Sequence, residues 1–239
     1  MNPLRTPHCV NLGLVTPDEI YRECRLQLLE LVPCLSTEQS AALLPATPPW
    51  TVTDGFRHLA GVCANFLDGV MDGAGGPEWT AAQLRSRAAN SLTEVCDEWA
   101  ERGPLLETQM AEAGPAMGFL AFDVWTHEQD IRAAIGGRGV RSDARVGALA
   151  DFALELFEPR YLASGAPPLL ILIDGEAHVL GGLGADPEIT LGTSAYELLR
   201  IIFGRRSSRQ ITAAHWTGNP TASIEALHVF DLPPIDIID

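Results

Sequence analysis

Asp123 and His127 stand four residues apart, with Asp130 three further on, in the segment Asp123-Val124-Trp125-Thr126-His127-Glu128-Gln129-Asp130-Ile131-Arg132. On an α-helix, positions i and i+4 share a face, so a carboxylate and an imidazole at that spacing can point at one cation without distorting the backbone. Asp130 falls on the same side, where it can orient the histidine from behind. At about 100° per residue, Met117, Leu120, Val124, Ile131 and Ile135 define an apolar face; His127 lies about 50° from its centre and Asp123 about 90° away. Both therefore sit on or beside a buried face. An ionised carboxylate there is costly unless a cation or hydrogen-bond donors meet it.

His58, in Trp50-Thr51-Val52-Thr53-Asp54-Gly55-Phe56-Arg57-His58-Leu59-Ala60-Gly61, is the third candidate. It lies at the margin of a second apolar stripe, near Val62, and two such helices facing each other bring it to Asp123 and His127. Two histidines and one carboxylate leave coordination positions open, as a catalytic rather than a structural metal requires. Plainer readings stand beside this one. A histidine at a helix interface is often a satisfied core residue, Asp123 and Asp130 can be surface groups at the stripe's edge, and Glu128 with Arg132 at i+4 reads as an exposed ion pair. His8, His178, His215 and His228 have no partner at chelating helical distance.

The elements that must position these residues are helical over the first 135 residues, which lack strand alternation. Thr16-Pro17-Asp18-Glu19 opens a helix that runs through Leu28, Leu29 and Leu31 and stops near Pro33. A proline-rich linker over 44–50 leads to a helix capped by Thr53 or Asp54, with Phe56, Leu59, Cys63, Phe66 and Val70 as its stripe and 73–77 as its end. A third region over 80–113, broken near Asn90-Ser91, turns Leu84, Ala88, Leu92, Val95 and Trp99 inward. A fourth helix over 116–135 closes against Gly136-Gly137. Such a series predicts a four-helix bundle, a scaffold whose facing side chains build metal sites.

After Gly139 the pattern changes. A helix over 143–157 precedes two strands within 168–180 around an Asp174-Gly175 turn, then a third strand over 188–191. Thr193 caps a helix carrying Tyr196, Leu199, Ile202 and Phe203, and 223–229 adds a helix or an edge strand. The expected fold class is thus α + (α+β), with a helix bundle over 14–138 and a small α+β domain over 139–239.

A formal charge of −15 on 239 residues argues against nucleic acid or an anionic membrane as the partner. The one dense basic patch, Gly204-Arg205-Arg206-Ser207-Ser208-Arg209, is too short to reverse that. No apolar run approaches the roughly 20 residues of a membrane span, and the first residues do not read as a signal peptide. The five cysteines, Cys9, Cys24, Cys34, Cys63 and Cys96, are scattered and form no C-x-x-C pair, so they read as reduced thiols of a cytoplasmic protein, with Cys63 and Cys96 as small core residues.

The Trp50 to Gly61 motif followed by the Asp123 to Arg132 motif resembles the two signature stretches of the mycothiol-dependent maleylpyruvate isomerase family, within the DinB-like metal-dependent bundle superfamily. Thr193-Ser194-Ala195-Tyr196-Glu197-Leu198-Leu199 and Gly204-Arg205 are similar to that family's sterol-carrier-like C-terminal domain. The resemblance implies a DinB-like four-helix bundle holding a divalent metal, usually zinc, through His58, Asp123 and His127. Aspartate stands at 123 where glutamate is usual, and its reach is shorter. It also implies a thiol cofactor, mycothiol or a similar thiol, made nucleophilic by the metal, and a small-molecule electrophile that is isomerised or receives the thiol. Arg205, with Arg206 and Arg209, is placed to hold a substrate carboxylate, or else belongs to a solvated loop. A monomer or homodimer fits either case. The alternative is a non-catalytic small-ligand-binding or regulatory protein that keeps the fold.

Overall fold

The structure is a computed structural model that describes residues 15–139, 141–182, 184 and 186–239. His8 and Cys9 lie outside the described residues. Helix α1 (Pro17–Leu31) is followed by the short α2 (Thr37–Ser40), then α3 (Val52–Asp68), α4 (Pro77–Ser86), α5 (Leu92–Ala113) and α6 (Phe119–Ala134). Helix α1 packs on α5 and α6, and α3 packs on the same two, so these four helices close a ring. Apolar residues fill it, among them Leu28, Phe56, Trp99, Leu106 and Ile131, and the Trp99 indole N–H donates to the Tyr21 hydroxyl at 2.8 Å.

The helix starts follow local chemistry. Thr16, Ser36, Thr51, Ser91 and Ser207 each make a capping box, a side-chain oxygen accepting from the third helical N–H while that residue's side chain accepts in return. The sequence places the α3 cap at Thr53 or Asp54. The cap is Thr51, in extended backbone, and Asp54 supplies the reciprocal carboxylate. The end of α3 also differs from expectation. Gly69 takes a left-handed φ of 70°, which stops the helix there and leaves Val70 outside it and exposed.

Two faces depart from the sequence reading. On α4 the fully buried side chain is Gln83, with Arg87 buried just beyond the helix, whereas Leu84 is half-buried and Ala88 exposed. On α6 every residue from Leu120 to Ile131 except the partly exposed Asp123 is buried, including Glu128, which accepts from Arg132 Nε at 2.8 Å. The Glu128–Arg132 pair is therefore not an exposed surface pair. Helix α6 has the ring on one side and later elements on the other, so most of its surface is covered.

Those later elements are α7 (Ala144–Ala163), β1 (Leu169–Ile173), β2 (Glu176–Leu180), β3 (Ile189–Thr193), α8 (Ala195–Ile202), α9 (Ser208–Thr212), β4 (His215–Thr217) and α10 (Thr221–Leu227). The sheet runs β2-β1-β3-β4, with β1 and β3 parallel and both outer pairs antiparallel. Asp174 at φ 50° and Gly175 at φ 96° make the two-residue β1–β2 turn, as the Asp-Gly pair predicts. Leu169, Ile171, Ile173, Ile189 and Leu191 form the buried face. Ser194, not Thr193, caps α8, its hydroxyl accepting from Glu197 N. Strand β4 and helix α9 are absent from the sequence reading, both being short. Among the described residues no helix is long and apolar enough to cross a membrane.

Helix α6 meets this half through aromatic contacts. Phe122 stacks on Phe152 with centroids 5.2 Å apart and lies 5.1 Å from Phe203, and Trp125 meets Tyr196 edge-on at 5.6 Å. The same helix thus carries Asp123 and His127 and is fixed from both sides.

Candidate metal centre

His58 projects from α3 toward α6, where Asp123 and His127 occupy successive turns of one face. The closest atoms are His58 Nε2 and Asp123 Oδ1 at 3.4 Å; His127 Nε2 lies 3.8 Å from the same oxygen. One ligand atom from each of the three lies within 4.8 Å of the others, and the two imidazole centroids are 4.8 Å apart. Both histidines are buried, while the Asp123 side chain keeps 30 % of its exposure. Trp50 covers the pair, its ring 5.0 Å from His58 and stacked at 5.8 Å on His127. The chain before α3 holds that indole in place: Leu44 N–H donates to Trp50 O, Trp50 N–H to Thr47 O, and Leu43 bridges Thr51.

The supports behind the histidines set their chemistry. Gln83 Oε1 lies 2.8 Å from His58 Nδ1, so Nδ1 donates to it and Nε2 is the ring nitrogen that faces Asp123. Gly61 makes this possible, because a Cβ there would lie 2.5 Å from Gln83 Cβ and force α4 away. Sequence reasoning missed Gln83. Its signal was a glutamine and an arginine, Gln83 and Arg87, four apart on what reads as a surface helix, facing a glycine in the motif of α3.

Asp130 stands behind His127, its Oδ2 3.6 Å from Nδ1. It is also the centre of an ion network. Arg200 Nη2 donates to Oδ1 at 2.8 Å, and Arg205 donates to Oδ2 from Nε at 3.2 Å and from Nη2 at 3.0 Å. Arg205 Nη1 donates to the Phe203 carbonyl at 2.7 Å. Arg200 continues to Asp239 at 2.6 Å, which pairs in turn with Arg206 at 2.8 Å. Neither Arg205 nor Arg206 lies in a solvated loop: both are buried. Arg206 is taken up by Glu197 and Asp239 and Arg209 by Asp236, so of the three only Arg205 borders the cavity beside the histidines.

Electrostatics follow from these partners. Burial raises the Asp123 carboxyl pKa, but His58 and His127 outweigh it and hold the group below its ordinary value. Burial and the neighbouring His58 push His127 down to about 4, so its imidazole is neutral at pH 7 with a lone pair to give. Asp130 is held at about 2, because Arg205 and Arg200 overcome its burial. Two imidazoles and a carboxylate, converging beside a cavity, form a donor set that fits a divalent cation.

Replacing Gln83 with leucine is expected to weaken divalent-ion affinity by about 10–100-fold while leaving the three donors in place. Competition against a chromophoric chelator measures it, and an unchanged affinity would show that the Gln83 bond does not organise His58.

A helix ring with an inward His-Asp-His cluster, followed by a small mixed sheet, defines a helix-rich protein with a candidate metal centre. Among solved structures the chain is similar to the mycothiol-dependent maleylpyruvate isomerase, at 12 % identity and a TM-score of 0.53, over 83 % of this chain and 92 % of that one. A histidine-to-alanine mutant of that enzyme matches at 12 % identity and 0.52, over 84 % and 95 %. The fold is shared along most of both chains, and a helix-rich first part followed by a small α+β part is the coarse architecture expected from the sequence. No family model and no curated protein matches the chain.

Proposed function

We propose that this protein is a metal-dependent enzyme that uses a low-molecular-weight thiol, mycothiol or a close analogue, to isomerise or accept transfer onto a small electrophile. The observation that carries the reading is the convergence of His58, Asp123 and His127 within 4.8 Å at the edge of a large cavity. A divalent ion bound there, zinc best suiting two imidazoles and a carboxylate, would lower the pKa of a thiol so that its thiolate exists at neutral pH.

The chain's own residues have distinct parts in this reading. His58 presents Nε2 because its Nδ1–H donates to Gln83 Oε1, and Asp130 faces the other imidazole's Nδ1. Arg205 keeps Asp130 ionised and in place, which makes it a positioning residue. Trp50 shields the histidines from water on one side. In domain terms the ligands belong to a DinB-like bundle over 14–138, and 139–239 forms a second unit, consistent with α7 packing on α8, β2 and α10. The protein acts in the cytoplasm as a monomer or homodimer, with a thiol and a small electrophile as its partners; its four described cysteines are free.

Calorimetry with mycothiol and its S-methyl derivative tests this. Metal-loaded protein is expected to bind mycothiol at least about tenfold more tightly than the S-methyl form, a difference of ~1.4 kcal/mol, and to lose that preference when stripped of metal. Equal affinity for the two would overturn the thiol reading.

A further inference from the structure

The cavity beside the three candidate ligands encloses about 720 Å³, ample for a ligand of drug-like size next to a small polar centre. Its walls come from separate parts of the chain: Phe66 on α3, Trp79 on α4, Phe122 on α6, Phe157 on α7, then Phe203 and Phe230. Four of these rings touch in sequence, with Phe122 and Phe157 each within 6.3 Å of Phe203 and of one another and Phe230 at 6.4 Å from Phe203. Flat rings around a cavity favour a flat or branched apolar body, which gains burial and edge or face contacts at once.

Charge points the same way. Among the described residues lining the cavity, the ionisable groups besides the histidines are Asp123, Asp231 and Arg205. Arg205 is not a free cation: two of its nitrogens donate to Asp130 and the third to the Phe203 carbonyl. A buried carboxylate of a ligand would have to compete with Asp130 for that guanidinium and would lie in the field of Asp123 and Asp231. Apart from an ion held by the three candidate ligands, the cavity lining offers a dianion no cation besides Arg205.

We propose that the electrophile taken by this site is uncharged and carries an aromatic or branched apolar body, seated in the aromatic cavity with its reactive end toward His58, Asp123 and His127. The proposal rests on the metal-and-thiol reading above for the word electrophile, and on the cavity alone for the ligand class. A short dicarboxylate is the competing occupant.

The probe is N-phenylnaphthylamine, a neutral fluorophore whose emission rises in apolar surroundings, titrated into the zinc-supplemented full chain with metal content measured on the same sample. Binding at one site per chain is expected, unaffected by maleate at a concentration about 100-fold above that of the probe. Leu156→Glu, at a cavity-lining position of α7 that is 42 % exposed and so tolerates a charge, is expected to weaken binding at least about tenfold with unchanged circular dichroism. Phe119→Glu, 43 % exposed at the start of α6 and also lining the cavity, provides a second variant with the same expected result. Metal uptake without probe binding overturns this proposal and leaves the thiol site standing. Displacement of the probe by maleate, or binding indifferent to both variants, also overturns it. Probe binding in protein that takes up no metal supports the ligand class and overturns the thiol reading instead.

Discussion

Replacing Asp130 with asparagine is expected to destabilise the protein by about 3–5 kcal/mol, the cost of removing one partner from a buried ion pair. The carboxylate receives Arg200 on one oxygen and Arg205 on the other, and its side chain has no exposure to water. Arg200 retains Asp239, but Arg205 is left with the Phe203 carbonyl as its partner. The asparagine keeps the shape, so the loss is electrostatic rather than a cavity. Urea unfolding reads the effect as a lower midpoint at unchanged slope. Adding Arg205→Met to Asp130→Asn is expected to restore part of the loss, since the stranded guanidinium is then gone, and a coupling of about 0.5–3 kcal/mol separates this cause from a general loosening. A cost under about 1 kcal/mol would show that the network does not hold α6 against α8.

His127→Ala is expected to reduce divalent-ion affinity by more than the roughly 100-fold that loss of an outer partner can cause, because it removes a donor outright. The fold should survive. His127 lies at the edge of a cavity rather than inside the close-packed ring, and its neutral imidazole makes no direct hydrogen bond at Nδ1. Stability without metal is therefore expected to change by no more than a typical single substitution, about 1 kcal/mol. Asp123→Ala should behave similarly toward metal. Asp123→Glu restores the longer side chain, and an affinity equal to or above that of the natural protein would show that the aspartate's reach limits binding.

Much of the frame could be read from the chain because it depends on neighbours in sequence. The i, i+4 spacing of Asp123 and His127 holds on α6, the Asp174-Gly175 turn joins β1 and β2, and the helix starts follow Ser and Thr caps. His58 could be placed on a stripe margin, and its approach to α6 required only that two apolar faces meet. What stayed hidden depends on pairings across the chain. Arg200 and Asp130 are 70 residues apart and Gln83 and His58 25 apart, and no periodicity says that they touch. Helix α6 misleads for a related reason: polar residues around a helix read as a solvent face, yet Glu128, Gln129 and Asp130 are buried, Glu128 paired with Arg132 on the same helix and Asp130 with Arg200 and Arg205 from later in the chain. The aromatic cavity is equally illegible, since its rings lie on α3, α4, α6, α7 and the chain beyond α8, segments that only tertiary packing brings together.

The most direct measurement is the metal content and divalent-ion affinity of the protein purified without chelator, set beside His58→Ala, Asp123→Ala and His127→Ala. The expected result is one divalent ion per chain, bound most tightly as zinc, and lost in each variant with the helical signal intact. A natural protein that is folded, free of metal and unable to take up zinc would contradict the account, as would variants that bind the ion as tightly as the parent.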